Sequence, residues 1–82
     1  MLRPVKVKIA EIYVPMKFKG TLDAEKVQEL AQSIAQDGMR TPIHVREDKD
    51  RYVLVGGLHR LEACKELGEE TIVVNIVQAK KF

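Results

Sequence analysis

Gly56-Gly57-Leu58-His59-Arg60 places two glycines ahead of an imidazole and a guanidinium, directly after the apolar run Val53-Leu54-Val55. The order reads as a strand, a tight turn and a helix start, with Gly68 closing the helix. The first N–H groups of a helix have no partner inside it and carry partial positive charge. Glycine lets the backbone come close to a ligand. With His59 and Arg60 added, the pattern fits an anion seat, phosphate above all. It fits equally a plain turn followed by a solvated first helical turn, and the residues alone leave both open. Neither a Walker A loop nor G-x-G-x-x-G occurs.

Lys26 and Ser33 lie seven residues apart, two turns along nearly one line of a helix. That line borders the apolar stripe Val27, Leu30, Ala31 and Ile34. A side chain at such a border can reach a cleft beside the core, although simple surface placement accounts for it too. Met16-Lys17-Phe18-Lys19-Gly20-Thr21 is a basic loop with one aromatic. It could meet a phosphate or an acidic partner, or be a solvated loop.

The elements that must position these residues follow from periodicity. Val5-Lys6-Val7-Lys8-Ile9 alternates and predicts a half-buried strand, which Pro15 ends. Thr21 or Asp23 caps a helix over about Ala24 to Gln36, stopped by Gly38. Met39-Arg40-Thr41-Pro42 connects to Ile43-His44-Val45-Arg46, and Arg51–Val55 returns as its hairpin partner across Glu47-Asp48-Lys49-Asp50. The run Val53-Leu54-Val55 suggests burial on both faces. In the second helix Leu61, Cys64 and Leu67 are spaced to face the core, with Glu62, Lys65, Glu66 and Glu69 outward. Thr71–Val77 is a last, β-branched strand, and Gln78–Phe82 a tail. The expectation is an α+β fold in β-α-β-β-α-β order, with a mixed sheet of about four strands and helices packed on it. That order also fits a ferredoxin-like sandwich, and period 2 cannot rank the strands.

The 82 residues make one small domain, 1–82, with a marginal but sufficient core. One cysteine, Cys64, excludes a disulfide framework and a cysteine-rich zinc site, and no metal ligand set is expected. The hydrophobic share of 45% and the charged share of 32% fit a folded domain rather than disorder. A net charge of +2 does not by itself mark a nucleic-acid binder. No run approaches the length of a membrane span, and the first residues lack the apolar segment of a signal peptide. A soluble cytoplasmic protein with no membrane partner is the expectation.

Three stretches together resemble the ParB/sulfiredoxin superfamily over about Val7 to Val77: Leu22–Ile34, Gly38–Val45 and Val55–Ala63. The helix L-x-x-L-A-x-S-I followed by G-x-x-x-P-I-x-V is similar to the amino-terminal domain of ParB partition proteins. The G-G-x-H-R turn and the E-T-I lead into the last strand are similar to sulfiredoxin. The resemblance implies a nucleotide site, for ATP or another NTP with Mg²⁺. It places Lys26, Ser33, His59 and Arg60 on the nucleotide, with Gly56, Gly57 and Leu58 as the phosphate turn and Lys19 loosely aligned with a basic residue. Sulfiredoxin carries its catalytic cysteine where this chain has Leu58, so sulfiredoxin activity is not expected. Cys64, on the apolar side of its helix, reads as a core thiol. Kinase-like members have an acidic base near the first strand, where Glu11 stands, so ATPase or phosphotransferase turnover is open. The alternative is a ParB-type DNA-associated partition or regulatory module whose helix-turn-helix is not among these residues. Oligomer formation is open as well.

Overall fold

Asp23 starts the longer helix as its spacing predicts. In this computed structural model, which describes residues 3–38 and 41–77, its carboxylate accepts from the N–H groups of Glu25 at 3.0 Å and Lys26 at 3.5 Å. Helix α1 runs Ala24–Asp37 and ends at Gly38, whose φ of 79° lets its N–H turn back to the Ile34 carbonyl at 2.8 Å. The connector residues Met39 and Arg40 and the tail Gln78–Phe82 lie outside the described residues.

The strands are β1 (Val5–Lys8), β2 (Ile12–Tyr13), β3 (Ile43–Asp48), β4 (Arg51–Gly56) and β5 (Thr71–Ile76), and the second helix is α2 (Leu58–Glu66). They form one mixed sheet in the order β1-β5-β3-β4-β2. The β1–β5 and β3–β4 pairs are antiparallel, and the β3–β5 and β2–β4 pairs parallel. Register brings Val7 opposite Ile72, Ile43 opposite Val74, Val45 opposite Leu54 and Ile12 opposite Tyr52. Except for the half-buried Tyr52, these side chains are buried and make the sheet's share of the main core. Leu58, Leu61 and Cys64 of α2 close that core from one side.

The sheet has five strands rather than about four. The extra strand, β2, is only two residues long, too short for alternation to show. Its partner β4 supplies the hydrogen-bonding edge, through Ile12 opposite Tyr52 and Tyr13 opposite Val53. Two short 3₁₀ turns, Ile9–Glu11 and Met16–Thr21, occupy the stretches around it. Three burial expectations also change. Leu67 is 38% exposed, because α2 ends at Glu66 and the chain reverses there. The Gly68 N–H meets the Lys65 carbonyl and the Glu69 N–H the Cys64 carbonyl, both at 3.0 Å, a Schellman closure that points Leu67 outward. Burial on both faces holds for Val53 and Leu54 but stops at Val55, which is 44% exposed although it shares a face with the buried Val53. Val5, at the start of the edge strand β1, is exposed too.

Helix α2 has two working sides. One meets the sheet, and the other presents Ala63, with 0% exposure, to Val27 and Ala31 of α1. Small residues let the two helix axes come close. Ile34 of α1 packs against both this helix pair and the main core.

Candidate functional site

The turn before α2 is built on a left-handed residue. Gly57 caps α2 at φ 98°, and a Cβ there would stand 2.6 Å from the Ile43 Cγ2. No side chain caps the first turn of α2 and no acid lies in it. The leading N–H groups of α2 are therefore not screened by a carboxylate of their own helix. Gly56 differs from its neighbour, because a Cβ there would meet nothing within 4 Å.

Leu58, where sulfiredoxins resemble this turn but carry a cysteine, is 7% exposed and belongs to the main core. Only its backbone can face a ligand. His59 and Arg60 diverge. The Asp23 N–H donates to His59 Nε2 at 3.0 Å. His59 thus ties the start of α2 to the start of α1. Arg60 goes toward the other half of α1 and lines a cleft of about 140 Å³ with Ser33, Asp37, Gly38 and Thr41. Its guanidinium makes no ion pair among the described residues.

Lys26 and Ser33 line a second, adjoining groove of about 440 Å³ with Glu29 and Leu30. Ser33 and Leu30 belong to both hollows. The structure therefore brings Ser33 and Arg60 into one cleft between α1 and α2, with Lys26 in the adjoining hollow on α1. It does not bring Lys19 or Glu11 there. Lys19 is exposed in the turn Met16–Thr21, and Glu11 is exposed at the end of the turn Ile9–Glu11, so neither lines these two hollows. Two lining residues escaped the sequence reading. Thr41 sits in a connector with no periodicity, and Asp37 belongs to no motif. Asp37 lies four residues after Ser33, which was the available signal.

Cys64 is buried, and burial first, then the Glu69 charge, push its thiol above its ordinary range. Among the described residues no three His, Cys, Asp or Glu side chains are grouped to hold a metal ion, and no helix is long and apolar enough to cross a membrane.

Residues 3–81 match the family described as the ParB N-terminal domain. The chain is 36% identical over 77 residues to the chloroplastic/mitochondrial sulfiredoxin of Arabidopsis thaliana, covering 94% of this chain and 62% of that protein. The crystal structure of Arabidopsis sulfiredoxin superposes with a TM-score of 0.84 at 35% identity, over 94% of this chain and 86% of that one. A nucleoid occlusion protein of Halalkalibacterium halodurans is 39% identical over 61 residues, 72% of this chain but 22% of that protein. The C-terminally truncated chromosome-partitioning protein ParB from Caulobacter crescentus, complexed with CTP-gamma-S, has the same fold, with a TM-score of 0.81 at 24% identity over 96% of this chain and 46% of that one. The chain thus spans about a fifth of the nucleoid occlusion relative and less than two thirds of the plant sulfiredoxin. With a matched family model over nearly its whole length and the sheet and helices to go with it, the chain belongs to the ParB N-terminal domain family, in the ParB/sulfiredoxin superfamily.

Proposed function

We propose that this domain binds a nucleoside triphosphate, ATP foremost, along the α1–α2 surface. The observation that carries the reading is the Arg60 guanidinium, in no ion pair among the described residues, sharing a cleft with Ser33 beside the hollow of Lys26. Arg60 would take phosphate oxygens in the bidentate manner open to guanidinium, and Lys26 would add a second positive charge. The uncapped first turn of α2 favours the same charge, and Gly56 leaves room for close approach. A ParB of this fold has been solved with CTP-gamma-S, which supports a nucleotide as the class of ligand without fixing the base.

Magnesium would arrive with the phosphates, since no protein group of three ligands is present among the described residues. In turnover the residues here would act by position and charge. Leu58 fills the core where a sulfiredoxin nucleophile would stand, so no sulfinate reduction is expected.

Calorimetric titration with ATP, ADP and CTP in Mg²⁺ tests the reading. Binding at micromolar to sub-millimolar nucleotide supports it, and silence at millimolar concentration of all three removes it. Arg60→Ala should then weaken the preferred nucleotide by about 1.5–3 kcal/mol, the range for hydrogen bonds to charged groups. Release of phosphate from bound ATP, followed in the same samples, asks separately whether ATPase turnover accompanies binding. A DNA-associated partition role draws on the kinship with partition and occlusion proteins. It predicts salt-dependent retardation of duplex DNA.

A further inference from the structure

Asp37 is the last residue of α1, at the negative end of the helix dipole, where a carboxylate weakens the helix. No basic residue lies in that last turn to offset it. Among the described residues its carboxylate takes part in no hydrogen bond or ion pair. Among the described residues, then, nothing offsets the cost of this carboxylate to the helix end. Its position supplies a second fact, because Asp37 lines the cleft that Arg60 also lines, with Ser33 and Thr41 around it.

A carboxylate cannot sit against phosphate oxygens without repulsion, so the Asp37 end of the cleft suits the uncharged part of a nucleotide. The cleft is small, about 140 Å³, and open to solvent, so a sugar ring can lie against Asp37 while the rest of a nucleotide extends outside it. Vicinal hydroxyls are paired donors, and an ionised carboxylate offers only acceptors. Arg60, on the same cleft, is placed for the phosphate that a 5′-nucleotide carries next to its sugar. A metal at Asp37 is disfavoured because no three-ligand group surrounds it among the described residues.

We propose that Asp37 reads the sugar: it accepts hydrogen bonds from the 2′- and 3′-hydroxyls of a ribonucleotide whose phosphates lie toward Arg60, making the site selective for ribose. The inference rests on the nucleotide reading above and names what that reading leaves open.

The test is titration of the wild type, Asp37→Ala and Asp37→Asn with Mg-ATP and with Mg-2′,3′-dideoxy-ATP, alongside thermal melts. The wild type should prefer ATP by about 12-fold or more, the low end of the range for one hydrogen bond to a charged group. Asp37→Ala should lose that factor for ATP and change by less than about twofold for the dideoxy analogue, with Asp37→Asn between them. Both variants should melt at or above the wild-type temperature, as removal of an unfavourable helix-end charge requires. If the wild type binds ATP and the dideoxy analogue alike, or Asp37→Ala weakens both equally or tightens ATP, the sugar assignment falls and nucleotide binding stands. If the wild type binds neither, the nucleotide reading itself has failed.

Discussion

Gly56 and Gly57 are neighbours with different reasons to be glycine. Gly57 is demanded by the fold, since alanine would place a Cβ 2.6 Å and 2.8 Å from Ile43 side-chain atoms at a φ of 98°. Gly57→Ala should cost about 2–4 kcal/mol in chemical denaturation, from overpacking and left-handed strain together. Gly56→Ala should leave stability within about 0.5 kcal/mol, so any loss of nucleotide affinity it causes is local to the site. Cys64 gives a second residue-scale outcome. Burial, then Glu69, raise its thiol pKa above the ordinary value of 9.0. As pH rises past that value, the unfolded thiol loses its proton while the folded one keeps it, so the native state binds more protons and stability falls. Denaturation midpoints at pH 8 and pH 10 should show the wild type losing more than Cys64→Ala, whose cavity cost does not change with pH. At this scale the sequence showed which residues carry charge but not where each one reaches. His59 and Arg60 are adjacent in the chain, yet one engages the N-cap of α1 and the other the cleft toward its far end.

At the scale of elements, the caps and stripes were legible because their causes are local. Asp23, Gly38 and Gly68 mark helix ends through their own backbone chemistry. Strand β2 was not legible, since its two residues owe their state to an edge offered by β4, a partner some forty positions away. Helix α2 was half legible. Leu61 and Cys64 announced the side against the sheet, but Ala63 gave no sign of a second buried side against α1. The contact of Ala63 with Val27 and Ala31 sets how closely the helices approach, and hence how wide the cleft between them is. Ala63→Leu should destabilise by about 1–3 kcal/mol through overpacking. It should also weaken the proposed nucleotide binding, which the same titration would record.

Taken whole, the molecule is layered: a five-stranded sheet, α2 against it, and α1 against α2. The two apolar clusters differ in size. The larger joins the sheet to α2, and the smaller is Val27, Ala31 and Ala63 with Leu30 and Ile34 beside it. Local opening free energy follows the apolar surface that holds a segment down. Hydrogen–deuterium exchange should therefore find the α1 amides less protected than those of β3 and β5. Equal protection would show a single cooperative unit.

That layering ties recognition to breathing. One wall of the cleft is the helix with the thinnest attachment, so each excursion of α1 away from α2 abolishes the pocket for as long as it lasts. A molecule lodged there acts as a clasp, and the deuterium uptake it suppresses should be concentrated in Ala24–Asp37 and grow less as its occupancy falls.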